Sequence, residues 1–243
     1  MPFAVPPVDT TRKPLFTPGM KVNWEHPLNR RLATWWLMGE SADIIHDTCN
    51  KCHLVNYLSP VWTNSNKGSA LLYDLGATQY SECTQSPIAN YQTDHSLAAW
   101  FWSSSLTAEQ AVLSIGAVGG AGYTAILLRG ATTGDFVAAV TETYKSITTV
   151  PYVLNKIHLA VAVYRGSNSR LIYLDGVPGA EHTSSATGNV NRITLGCTAL
   201  STKGSYLSGG IIDAAIWTRA LGPEEVTSLF QNPYGTPDNP RLI

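Results

Sequence analysis

The chain has 243 residues, 16 basic and 17 acidic, with 14% charged and 44% hydrophobic positions. Charge this sparse and balanced excludes the basic footprint of a nucleic-acid binder. No stretch approaches the roughly 18 consecutive apolar residues of a membrane span, so neither nucleic acid nor membrane is an expected partner. At this length one domain can bury roughly 70% of its unfolded surface in a single core.

The opening, MPFAVPPVDTTRKPLF, has no charged region leading into an apolar run and no cleavage motif, so a chain made in the cytoplasm without a signal peptide is expected. Its first 27 residues hold Pro2, Pro6, Pro7, Pro14, Pro18 and Pro27, six of the fourteen prolines, with no helical or alternating period. Residues 1–29 read as an extended arm. Lacking a core, the arm needs its own domain or a neighbouring subunit, in a homo-oligomer or a larger assembly, to hold it down.

Next comes HDTCNKCH, residues 46–53, where Cys49, Cys52 and His53 have the spacing of a covalent c-type haem motif. Such attachment is made on exported chains, and no export signal is read here, so haem is not expected. Only Cys83 and Cys197 remain to complete a zinc site, and the second CxxC that zinc sites favour is missing. A Cys49–Cys52 pair is the other option. Reduced structural thiols are the first expectation.

From Arg31 onward short apolar runs alternate with a period of two between Gly, Ser, Asn and Asp clusters. In LAAWFW, Ala98, Trp100 and Trp102 share one face, with Ala99 and Phe101 on the other; HLAVAVYR and RLIYLDG follow the same pattern. Asp175-Gly176 suits a hairpin turn. A helical signature appears only in ALGPEEVTSLF, with Pro223 at a first helical position, Glu224 and Glu225 at the positive end of the dipole, and Val226, Leu229 and Phe230 as the apolar stripe. One short C-terminal helix and about twelve to fourteen strands mean two packed antiparallel sheets. Residues 236–243 read as an irregular tail.

The run SGGIIDAAIWTRALGPEEVTSLF resembles the C-terminal signature of laminin-G-like, concanavalin A-like jelly rolls. Gly210, Ile212, Asp213, Trp217, Arg219, Ala220, Leu221, Glu224 and Glu225 carry the likeness. Tyr73 and Asp74 match an early strand of that family, with Leu75 where glycine is usual. NKIHLAVAVYRG resembles its Trp-His-His-Val strand, with Lys156 and Ile157 in place of the tryptophan and the first histidine. The likeness runs over about residues 30–235 and implies an all-β sandwich in which HDTCNKCHL is a turn after the first core strand. The phrase VNWEHPLNRRLATWWLMGE is similar to openings that precede such domains in tailed-phage proteins, which implies a virion component.

Catalysis finds little support. Concanavalin A-like glucanases carry their acids on one Glu-x-Asp-x-x-Glu strand, which this chain lacks; Glu224 and Glu225 are helix neighbours that do not face one another. No Gly-x-Ser-x-Gly elbow occurs, and the six histidines lack metalloprotease spacing. The resemblance implies calcium at a rim, with Asp47, Asp213 and Asp74 as candidate ligands; the alternative is that Asp47 caps a turn and Asp213 anchors a loop. Trp62 and Tyr206, flanked by polar residues, are the candidate glycan-stacking aromatics, whereas Trp35, Trp36, Trp100, Trp102 and Trp217 read as core. The leading expectation is a non-enzymatic virion structural protein, on a capsid or tail surface, docked to other virion proteins through its arm. The alternative is a calcium-dependent carbohydrate-binding module or lectin for cell-surface or matrix glycans.

Overall fold

The computed structural model describes residue 13 and residues 20–39, 43–106, 108–119, 122–129, 136–141, 144–236 and 238–243. Most of the expected arm, residues 1–12 and 14–19, lies outside the described residues.

The first strands are β1 (Leu32–Trp36), β2 (Ile44–Ile45), β3 (Leu54–Tyr57), β4 (Val61–Ser65), β5 (Gly68–Tyr73), β6 (Tyr80–Cys83) and β7 (His95–Ser103). The middle of the chain supplies β8 (Gln110–Gly116), β9 (Tyr123–Leu128), β10 (Val137–Thr141), β11 (Tyr144–Ile147), β12 (His158–Arg165), β13 (Ser169–Leu174), β14 (Val177–Pro178) and β15 (His182–Thr183). Last come β16 (Arg192–Leu195), β17 (Gly209–Trp217), helix α1 (Pro223–Gln231), β18 (Gly235–Thr236) and β19 (Asn239–Pro240). Five of these strands (β2, β14, β15, β18, β19) are two residues long, which leaves fourteen longer ones among the described residues.

The strands form an antiparallel sandwich. One sheet of nine runs β14-β13-β12-β7-β17-β5-β4, with β1 on β17 and β15 on β13; the other, of eight, runs β11-β10-β9-β8-β16-β6-β3-β2. The all-β jelly roll with one short C-terminal helix is therefore the observed architecture. The two-residue alternation decides which side chains fill it: Leu97, Ala99 and Phe101 of β7 point between the sheets, while Ala98 and Trp100 point the other way. Asp175 and Gly176 both have positive φ, 51° and 82°, and make the β13–β14 turn.

A second core covers the outer face of the nine-stranded sheet, roofed by residues 20–30, α1 and the C-terminal tail. The opening phrase supplies much of that roof. His26 Nδ1 accepts from the Leu28 N–H at 3.2 Å, Asn29 donates to the Arg241 carbonyl at 2.9 Å, and the Trp217 indole N–H donates to the Leu28 carbonyl at 2.6 Å. The tail is not irregular: Lys21 and Ile243 exchange both backbone hydrogen bonds, and Val22 bridges Leu242. Lys13 also lies against its own sandwich, buried, with its ammonium on the carbonyls of Leu37, Met38 (2.9 Å), Ser69 (2.5 Å) and Ile212 (3.2 Å).

Helix α1 starts as its sequence predicts. Glu225 reaches back to the Gly222 N–H at 2.9 Å and takes the Arg219 fork at 2.6 and 2.7 Å. Val226 and Leu229 are buried, and Phe230 stacks on Trp100 with centroids 5.9 Å apart.

The cysteines depart from expectation. Cys52 is bonded to Cys83, their Cα atoms 6.0 Å apart, leaving Cys49 and Cys197 free. The cause is strand pairing: β3 lies beside β6, so the residue two before β3 meets the end of β6, a partner 31 positions away that the CxxC spacing does not reveal. Burial, then the Asp47 carboxylate, pushes the Cys49 thiol up to about 12, which leaves it protonated at neutral pH.

Candidate functional site

An open aromatic row stands on the outer face of the eight-stranded sheet, where β3 meets β6. Their register opposes Val55 to Glu82 and Tyr57 to Tyr80, and both pairs point away from the core, because Leu54 and Cys83 point into it. Tyr57 and Tyr80 stack with centroids 4.7 Å apart at 7°. Beyond Tyr80 comes Tyr206, 6.5 Å away and tilted by 46°.

Tyr206 is delivered by the loop between β16 and β17, which is fastened flat on the same face. Thr194 Oγ1 donates to the Cys197 carbonyl at 2.7 Å, the Ala199 N–H donates to Ser114 Oγ at 3.1 Å, and Arg192 donates to the Leu200 carbonyl at 2.8 Å. Gly116 beneath the loop is required, since a Cβ there would stand 2.3 Å from the Ala199 carbonyl oxygen. Lys203 of the loop pairs with Glu82 at 2.6 Å and lies 5.4 Å from the Tyr80 centroid; Arg192 approaches Glu82 from the other side at 3.4 Å.

Tyr80 and Tyr206 are both half-buried, and Tyr57 at the end of the row keeps an open face. Tyr57 is 39% exposed. Burial raises the Tyr80 and Tyr206 phenols, helped by Glu82 at Tyr80 and by Cys197 at Tyr206, so both hydroxyls keep their protons at neutral pH. The row therefore offers apolar ring faces beside hydroxyls able to donate and accept, the composition of a surface for a flat, hydroxyl-rich ligand.

A laminin-G-type family model, described as the concanavalin A-like lectin/glucanases superfamily, matches residues 75–227, more than half of the chain. The chain belongs to that superfamily. No curated protein sequence matches it. Among solved structures the jelly roll is similar to domain 4 of AbnA, a GH43 extracellular arabinanase from Geobacillus stearothermophilus, in complex with arabinotriose. That match has 15% identity and a TM-score of 0.63, and covers 83% of this chain and 98% of that one. It is similar to Trypanosoma rangeli sialidase (11% identity, TM-score 0.62), covering 84% of this chain and 33% of that one. It is also similar to the binding domain of botulinum neurotoxin DC in complex with SialylT (13% identity, TM-score 0.60), covering 84% of this chain and 52% of that one. The chain thus spans about a third of the sialidase and half of the toxin domain, and identities this low show a shared fold alone.

Within this concanavalin A-like sandwich the three carboxylates expected to hold calcium are not brought together. Asp47 anchors the 46–53 turn, accepting backbone N–H bonds from Trp35 (2.8 Å), Cys49 (2.9 Å), Lys51 (2.9 Å) and Cys52 (3.1 Å). Asp74 is exposed and closes a turn with the Gly76 N–H at 2.8 Å. Asp213 does not anchor a loop either. A bulge in β17 turns it under the roof, where it accepts from the Tyr234 hydroxyl at 2.6 Å; burial raises its carboxyl, opposed by Tyr234, Lys13 and Arg241. One carboxylate filled with N–H donors, one in a surface turn and one ringed by cations do not fit a cation that takes about six to eight oxygens. Among the described residues no group of three or more His, Cys, Asp or Glu converges.

Of the two aromatic candidates, Tyr206 lies in the row and Trp62 does not. Trp62 is on edge strand β4, half-buried and packed inward against the main core, rather than on a loop. Trp35, Trp36, Trp100 and Trp217 are core, as expected; Trp102, at the end of β7, is half-buried and packs against the edge of the second core. Tyr57 and Tyr80 escaped the sequence reading, although the alternation of LVNY and YSEC puts both on the face opposite their apolar residues.

Proposed function

We propose that the protein is a non-catalytic carbohydrate-binding module whose sugar surface is the Tyr57–Tyr80–Tyr206 row. The carrying observation is that the row lies on an outer sheet face, with Tyr57 exposed and Tyr80 and Tyr206 half-buried beside it, where the neighbouring loop is fastened down to present it. Structural neighbours in complex with arabinotriose and with SialylT support the reading. Glu82, the acid nearest the rings, is paired with Lys203 and Arg192 and stands opposite Val55 and Thr194 on the neighbouring strands, which suits binding rather than glycosidic cleavage. The Cys52–Cys83 bond suits a module working outside a reducing cytosol.

A glycan array followed by calorimetry on the strongest hit tests this. Tyr57→Ala and Tyr206→Ala are each expected to weaken binding about 3- to 10-fold, the range of one aromatic contact. A silent array, or unchanged affinity in both variants, sinks the proposal.

A virion role, with the arm docking the protein onto a capsid or tail, rests on the opening phrase, the proline-rich arm and the missing pair of catalytic carboxylates. Lys13 favours a chain that folds back on itself, because its ammonium is taken up by carbonyls of its own domain. Deleting residues 1–12 leaves incorporation into particles intact on the binding-module reading and abolishes it on the docking one.

A further inference from the structure

A second cleft, of about 440 Å³, opens at the edge of the nine-stranded sheet, the sheet opposite the tyrosine row. Its size suits one or two sugar rings. Trp102 is its aromatic wall, and the indole lies so close over β17 that a Cβ on Gly210 would come 2.1 Å from Cη2. That glycine is what lets the ring lie against the strand, packed on the edge of the second core and lining the cleft.

Two turns bring polar groups around the indole. Asn64, near the end of β4, and Asn66, in the β4–β5 turn, stand on one side, the turn held by Ser65 Oγ donating to the Gly68 carbonyl at 2.8 Å. Asn155 and Lys156 come from the turn before β12, where Asn155 sits at φ 59° and its N–H donates to the Ser103 carbonyl at 2.8 Å. Asn64, Asn66, Asn155 and Lys156 are all exposed. Among the described residues no carboxylate lines the cleft, and a second lysine, Lys67, follows Asn66 in the β4–β5 turn with its Nζ 4.3 Å from the Trp100 centroid. Lys156 and Ile157 are also the two positions where this chain departs from its family's strand phrase.

We propose that this cleft binds a sugar bearing a carboxylate, a uronic or a sialic acid. The indole stacks on the apolar face of the ring, the asparagine amides take the hydroxyls, each offering a donor and an acceptor, and the Lys156 ammonium pairs with the carboxylate. The site is separate from the tyrosine row and stands or falls without it.

The test is a titration of the ¹⁵N-labelled full chain with glucuronic acid, N-acetylneuraminic acid and neutral glucose, read as amide and indole shifts. The expected result is saturable shifts at residues 64–66, 102 and 155–157 with at least one of the two acids and not with glucose, the responding acid telling uronate from sialate. Lys156→Ala is expected to weaken that binding at least fivefold and Lys156→Arg to restore it; both substitutions are at an exposed position that leaves the fold intact. Shifts confined to residues 57, 80 and 206, equal response to glucose, no response to either acid, or unchanged affinity in Lys156→Ala each overturn the proposal. Shifts at the tyrosines alone would do so while upholding the proposed function.

Discussion

On the outer face of the nine-stranded sheet Arg241 lies 4.2 Å from the Trp35 centroid and 5.8 Å from that of Trp217, with Asp213 close by. On the outer face of the eight-stranded sheet Lys203 lies 5.4 Å from the Tyr80 centroid and pairs with Glu82. The ingredients match: a cation, aromatic rings and a carboxylate. The roof makes the difference. Under residues 20–30, α1 and the tail the first group leaves a void of about 10 Å³, room for no more than one water. Burial there draws the Arg241 guanidinium down to about 10 and raises the Asp213 carboxyl. The tyrosine row has no such cover. Residue types alone therefore do not separate a structural cluster from a binding surface; what covers the cluster does.

The largest effect is expected under the roof. Trp217→Ala removes a fully buried indole and its hydrogen bond to Leu28, and large-to-small core changes of this kind cost about 3–5 kcal/mol. The loss is expected in chemical denaturation, with sugar affinity of the folded fraction unchanged. A smaller loss, with altered affinity, would mean that the roofed face is not merely structural.

The disulfide comes next, because it ties the 46–53 turn to the strand that carries Tyr80. Closing a loop of 31 residues constrains the unfolded chain by about 3.5 kcal/mol. Reduction, or Cys52→Ser with Cys83→Ser, should lower stability by about that much. An unchanged urea midpoint after reduction would show that β3–β6 pairing alone holds the region.

His95 separates burial from exposure through pH. Its ring stacks on Tyr164, centroids 4.4 Å apart, and Nδ1 donates to the Thr93 carbonyl at 2.8 Å. Burial lowers its pKa from 6.5 to about 4, against the smaller opposing pull of Thr93 and Asp94. Between those values the unfolded chain binds a proton that the folded chain refuses. Stability is therefore fully present above pH 6.5 and falls as the pH drops toward 4, by up to about 3 kcal/mol. His95→Phe should flatten that part of the pH–stability curve relative to wild type; an equally steep variant would assign the slope to other groups.

Much of the sandwich was legible because it depends on local pattern. Alternation in LAAWFW fixed the two faces of β7, Asp175-Gly176 marked the β13–β14 turn, and Pro223 with Glu225 marked the start of α1. The site was less legible because it depends on pairing across sequence distance. Tyr57 and Tyr80 are neighbours only through the β3–β6 register, and the same register joins Cys52 to Cys83 and hides the partner from the CxxC spacing. Trp62 and Trp102 are both half-buried, each packed against one of the two cores. Polar flanks mark the end of a strand but do not tell which way its side chain points, and Gly210, more than 100 positions from Trp102, makes the room in which that indole lies.

The smallest effect is the most discriminating. Tyr57→Phe keeps the ring on the open end of the row and removes only its hydroxyl. If the open face of Tyr57 does the stacking, affinity for a neutral oligosaccharide should change less than about threefold and stability by no more than the roughly 0.5 kcal/mol of an ordinary surface substitution. Tyr57→Ala, which also deletes the ring, should show the larger loss. A Phe variant as weak as the Ala variant would move the recognition from the ring faces to the line of hydroxyls, leaving the row as the site but with hydrogen bonding, rather than stacking, as what selects the sugar. Calorimetry on the two variants side by side, at equal folded fraction, reads that distinction directly.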